Sequence, residues 1–144
     1  MCVYSPVNAS KKEEIRQLQD NHFIILTIEG NGIQSILYEG YSSLPKTIQI
    51  NSNEEITGTI NWQQNLDLDT NTVKLTWDIQ LESCENMFKG LQKIKQWIIL
   101  IDLSMVTNMN SFFEVCTSLT SVNFDSKSAL NVISMNSMFK DCKH

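Results

Sequence analysis

The sequence predicts an α+β chain: a small β-rich N-terminal unit over residues 1–80, opened by a short helix, then a solenoid of short helix–strand coils over residues 81–144. Three observations carry that prediction. A helix-capping sequence stands near the start, β-branched and apolar runs fill residues 22–77, and a Phe-centred segment recurs after residue 81. The chain's 144 residues suit one compact unit or two small ones sharing a core. A hydrophobic fraction of 42% lies well above the disordered range.

Ser10-Lys11-Lys12-Glu13 has the form of a capping box, in which the serine accepts from the Glu13 amide and the glutamate reaches back. Ile15 and Leu18, three apart, give the following helix one apolar side, and Asp20-Asn21 ends it. His22 to Glu29 is then strand-like. Gly30-Asn31-Gly32 supplies positive φ for a hairpin, and Ile33 to Tyr38 reads as the return strand. Thr47 to Asn51 places Ile48 and Ile50 on one side, Ile56 to Trp62 is a weaker run, and Thr72 to Trp77 puts Val73, Leu75 and Trp77 on one face. About five short strands are expected here, in no readable order.

From residue 81 the pattern changes. Segments beginning at Leu81, Val106 and Val132 each carry apolar residues at recurring offsets, and Phe88, Phe113 and Phe139 fall 25 and 26 residues apart. That period lies within the range of leucine-rich repeats. The offsets match one stripe of a short helix, and Leu119 to Phe124 reads as the strand that follows the second helix. One coil cannot bury its own stripe, so the units are expected to stack with the three phenylalanines along one axis. Met87, Phe88, Met109, Phe113, Cys116, Leu119, Val122 and Met135 are the expected repeat core.

Phe112-Phe113-Glu114-Val115-Cys116-Thr117-Ser118-Leu119, with Val106-Thr107-Asn108-Met109 before it, resembles the Met-Phe-x-x-Cys repeat of the BspA-like leucine-rich-repeat surface proteins. Leu26 to Leu37, Asn71 to Trp77 and Cys84 to Ile94 are similar to the unit that introduces such repeats in ciliate-type members, so the resemblance covers roughly residues 22–144. It departs where Ile101-Asp102-Leu103-Ser104 comes late, after an extra Trp97-Ile98-Ile99-Leu100, and where Lys127 replaces a usual core phenylalanine. The resemblance implies a secreted or cell-surface location, adhesive or structural roles, and no catalytic residues.

Several chemistries are disfavoured by the residues themselves. A net charge of −5 without a basic cluster argues against nucleic acid. Cys2, Cys84, Cys116 and Cys142 lack CxxC spacing and neighbouring histidines, so neither zinc nor another cofactor is expected. With only His22 and His144 available as histidine bases, no nucleophilic constellation forms and the chain does not read as an enzyme. Asp67-Leu68-Asp69-Thr70-Asn71 copies the opening of a calcium loop, but Thr72 and Asp78 stand where glycine and glutamate belong, so an Asx-rich turn is the better reading. Cys116 and Cys142 share an offset and are expected buried and reduced, although a bridge between coils is open to them.

No apolar run is long enough to span a bilayer, and the N-terminus lacks a secretory signal, which fits the mature or truncated part of a longer precursor. Asn8-Ala9-Ser10 makes Asn8 the one glycosylation candidate. The function expected is a non-catalytic structural protein outside the cell. Its assembly face, Met138, Phe139 and Cys142, would meet the N-terminal β unit of another copy, head to tail, in a filament. The alternative is a recognition or adhesion module that binds a protein or glycan on a concave strand face bearing Thr120, Ser121 and Asn123.

Overall fold

The computed structural model describes residues 22–58, 60–100, 103–123 and 131–143. The expected helix after Ser10, the glycosylation candidate Asn8, Cys2, Lys127 and His144 lie outside the described residues.

The central strand is β1 (His22–Glu29), which pairs antiparallel on one side with β5 (Thr70–Trp77) and on the other with β6 (Ile94–Leu100). Outside β5 lies β3 (Thr47–Ile50), antiparallel, and outside β6 lies β7 (Ser121–Asn123), parallel, giving the order β3-β5-β1-β6-β7. A second sheet is the pair β2 (Gly32–Ser35) and β4 (Gln63–Leu66). The alternation of the sequence explains which face is inside. Ile24, Leu26 and Ile28 of β1, Val73, Leu75 and Trp77 of β5, and Ile48 and Ile50 of β3 are all buried. Register sets them side by side: Leu75 stands opposite both Ile24 and Ile48, and Val73 opposite both Leu26 and Ile50. Trp77 keeps its indole satisfied by donating from Nε1 to the Ser43 carbonyl at 2.7 Å.

Two expectations are corrected here. The Gly30-Asn31-Gly32 turn has positive φ at both glycines, yet it does not close a hairpin, because β2 leaves the first sheet to pair with β4. The second correction is larger. The described residues are all-β, in two sheets, with no helix among them, and the expected α+β solenoid of helix–strand coils is not formed. The cause is local. Asn86, Ser111 and Ser137, equivalent in the repeat, have φ of 60°, 53° and 58°. Gly90, Val115 and Asp141, equivalent again, have φ of 76°, 63° and 59°. A right-handed helix needs φ near −60° throughout, so two left-handed residues in each repeat break it into successive β-turns. The bonds are of the turn type: the Met87, Lys89 and Leu91 amides donate to the Cys84, Asn86 and Phe88 carbonyls.

The sheet crosses the expected boundary at residues 80 and 81, since β6 and β7 extend the sheet that β1 begins. Buried residues of both parts, from Ile24 to Met138, form one hydrophobic core.

Candidate functional site

The repeats meet through their peptide groups. In the second turn, the Asn108, Asn110, Phe112 and Glu114 carbonyls accept from the Cys84, Asn86, Phe88 and Gly90 amides of the first, at 2.7–3.1 Å. The Met109, Ser111, Phe113 and Val115 amides in turn donate to the Ser134, Asn136, Met138 and Lys140 carbonyls of the third, each at 2.8 Å. Four columns of peptides thus run through three turns, every N–H pointing the same way. The left-handed residues make this geometry by turning alternate peptides into line. Strands β6 and β7 continue the same period, with Gln96 beside Ser121 and Trp97 beside Val122.

Side chains repeat on this frame. Phe113 stacks on Phe88 at 5.9 Å between ring centroids and on Phe139 at 5.5 Å, each pair 14° from parallel, so the three rings lie along one axis. The thiols follow: Cys116 Sγ donates to the Phe88 carbonyl and Cys142 Sγ to the Phe113 carbonyl, both at 3.1 Å. Burial pushes the Cys84 and Cys116 thiols up to about 12. Cys142, half-buried, is raised by the same cause. A third column is ionic. Glu114 takes Lys89 on one oxygen at 2.8 Å and Lys140 on the other at 3.3 Å. The Lys89 hydrogen bond first, then those from Ser111 and Lys140, hold the Glu114 carboxyl down at about 2.

The two ends of the stack differ. At the first turn, the Tyr38 amide donates to the Met87 carbonyl at 2.8 Å and the Tyr41 hydroxyl to the Ser83 carbonyl at 3.1 Å, standing in for a preceding turn. A cleft of about 510 Å³ opens beside this cap, lined by Tyr38, Tyr41, Ile79, Glu82, Glu85 and Asn86 among others. At the third turn, the amides of Met135, Ser137, Phe139 and Asp141 occupy the donor positions and meet no acceptor among the described residues.

The expected core residues Met87, Phe88, Met109, Phe113, Cys116 and Leu119 are buried, and Val122 is half-buried. Met135 is 57% exposed, which corrects its assignment to the core: it equals Met109 in the repeat, but no following turn among the described residues covers it. Of the expected assembly face, Met138 is buried, Cys142 half-buried and Phe139 exposed, and the three share the third turn. Three features escaped the sequence reading. The ionic column was findable, because Lys89, Glu114 and Lys140 recur at the phenylalanine period. The Tyr38–Tyr41 cap had no local signal.

The third is Asn51, which joins the strands around the Asp67–Asn71 loop. Its Nδ2 donates to Asp67 Oδ1 at 2.8 Å and to Asn71 Oδ1 at 2.7 Å. The buried Asn71 side chain donates to the Gly30 and Leu68 carbonyls and accepts from the Leu68 amide, so it closes the loop by bonds three residues back rather than in the forward Asx geometry. Among the described residues no group of three or more acidic, cysteine or histidine side chains is placed to hold a metal ion, and no helix is long and apolar enough to cross a membrane.

Among the described residues these observations define an all-β repeat fold in which turns, rather than helices, form the stacked unit. The family model described as Mycoplasma protein of unknown function, DUF285, matches residues 56–144, more than half of the chain, and the chain belongs to that family. No curated protein and no solved structure matches it.

Proposed function

We propose that this chain is a non-catalytic structural protein of the cell exterior, of the BspA-like kind, which joins a larger assembly through the open edge of its turn stack. A following turn of the same polypeptide, another copy arranged end to end, or a second surface protein would complete that edge. The supporting observation is the inequality of the two ends: at one, Tyr38 and Tyr41 donate to the Met87 and Ser83 carbonyls; at the other, four amides meet no acceptor among the described residues, beside a ring, Phe139, that is 47% exposed. Unpaired backbone edges of this sort are templates for pairing. The test uses intact cells carrying the chain with a photo-crosslinking residue at Met135, or at exposed Gly58 as control. A membrane-impermeant amine reagent is expected to label the chain, and Met135 to cross-link to protein where Gly58 does not. An unlabelled chain, or equal cross-linking from both positions, would overturn the proposal.

The cleft beside Tyr38 and Tyr41 favours a second reading, a recognition module for protein or glycan. Under it, substitution of Tyr38 abolishes attachment while cross-linking from Met135 is absent.

A further inference from the structure

We propose that the cleft beside Tyr38 and Tyr41 takes a cationic side chain, lysine or arginine, from a partner protein. This rests on the second reading above, names its ligand chemistry and makes no use of the third turn.

The backbone sets the need for a donor. In the second turn the Asn108, Asn110, Phe112 and Glu114 carbonyls point back and serve the amides of the first. Their equivalents in the first turn are Ser83, Glu85, Met87 and Lys89. The Tyr41 hydroxyl takes the Ser83 carbonyl and the Tyr38 amide takes that of Met87. Between them the Glu85 carbonyl meets no donor among the described residues, and Glu85 lines the cleft. A donor that enters the cleft therefore finds an open acceptor between two satisfied ones.

Side chains choose the charge of that donor. Glu82 and Glu85 both line the cleft, no cationic side chain among the described residues does, and neither carboxylate has an ion-pair partner among them. Lys46 and Lys89 are spent on Asp78 and Glu114. Asn108 Nδ2 donates to Glu85 Oε2 at 3.1 Å, and the Glu85 amide donates to Ser83 Oγ at 3.2 Å, so this carboxylate is held in place. Hydrogen bonds to charged groups are roughly twice as strong as neutral ones. An ammonium or guanidinium is thus preferred to the hydroxyls of a neutral glycan. Exposed Tyr38 and Ile79 add apolar surface, which suits the methylene stem that lysine and arginine carry beneath the charge. The walls are set beforehand, because Trp77 Nε1 holds the Ser43 carbonyl and the Tyr41 amide donates to the Tyr38 carbonyl, so binding orders little.

The probe is a tripeptide of glycine, lysine and glycine, capped at both ends, titrated into the intact purified chain and followed by NMR. Saturable shifts are expected at the Gly40, Glu82 and Asn86 amides, and the arginine tripeptide should do the same. Acetylating the lysine keeps the stem and removes the charge, and should weaken binding roughly five-fold, about what an exposed ion pair contributes. In a chain carrying Glu82→Gln and Glu85→Gln the two lysine peptides should bind equally weakly. Both carboxylates are exposed, so that variant keeps its fold, which signals away from the cleft will report. Absent shifts, equal binding of the acetylated peptide to the unaltered chain, or binding of chitotriose in the lysine peptide's place overturns the inference. Should the peptide fail while Tyr38 substitution still abolishes attachment, the cationic ligand falls and the recognition reading stands. Should the peptide bind while Tyr38 substitution leaves attachment intact, the recognition reading falls alone.

Discussion

The Tyr41 hydroxyl donates to the Ser83 carbonyl at 3.1 Å, in the place where the amide of a preceding turn would stand. Burial raises the hydroxyl above the usual phenol range, so it remains a donor at every physiological pH. Tyr41→Phe removes that donor and leaves a carbonyl unsatisfied. It should cost about 1–3 kcal/mol in urea melts, whereas an unchanged midpoint would show that water replaces it without loss.

Phe113 is fully buried between two stacked rings. Phe113→Ala should destabilise the chain by about 3–5 kcal/mol. A near-neutral effect in denaturant would mean that the ring column contributes nothing to the fold.

Val115 has φ of 63°, a conformation that β-branched residues resist, at the position Gly90 fills in the first turn. Val115→Gly should stabilise by about 0.5–1 kcal/mol, the relief of strain exceeding the added freedom of the unfolded chain. Gly90→Val should do the opposite, although a Cβ there meets open space. Thermal melts of the two variants moving in the same direction would contradict this.

Glu114 titrates at about 2 in the folded chain, below its ordinary value of 4.5. A carboxyl whose folded pKa is depressed lends stability that is complete above the unfolded value and lost as pH falls through the folded one. The wild-type chain should therefore lose stability between about pH 4.5 and 2, and Glu114→Gln should flatten that part of the profile. Parallel acid limbs in urea melts at stepped pH would refute it.

The thiols should react in the order of their burial. Iodoacetamide at mildly alkaline pH should modify half-buried Cys142 first, and Cys84 and Cys116 only on unfolding, since both are buried and titrate at about 12. Peptide mapping under non-reducing conditions should show no Cys116–Cys142 bridge. Early labelling of Cys116 would contradict the order.

The strands that could be read were those with clean alternation. β1 and β3 fall where the β-branched runs lie, and β5 starts two residues earlier than expected. β6 was missed as a strand because Trp97 to Leu100 looked like an insertion, whereas it pairs with β1 over most of its length. The repeat register was legible because identical phenylalanines carry it. The backbone between them was not: apolar offsets that suit a helix also suit two successive turns, and only φ distinguishes them. Asn86 and Gly90 hint at left-handed residues, yet Val115 at the equivalent place points the other way. Met138, Phe139 and Cys142 stood out as side chains of the third turn, but the row of amides beside them did not. Nothing in side-chain patterning reports where a peptide N–H points.

Because every peptide in the four columns faces one way, the stack has an electrical direction. Peptide dipoles of about 3.5 D align head to tail as they do along a helix, leaving partial positive charge where N–H groups emerge and partial negative charge where carbonyls do. The edge of Met135, Ser137, Phe139 and Asp141 is the positive pole, although the chain carries a net charge of −5. Tyr38 and Tyr41 sit at the negative pole and partly quench it. Were an acidic partner to dock at that edge, this field would orient it before any side chain touched, and raising the salt concentration should slow its arrival more than it loosens the bound complex.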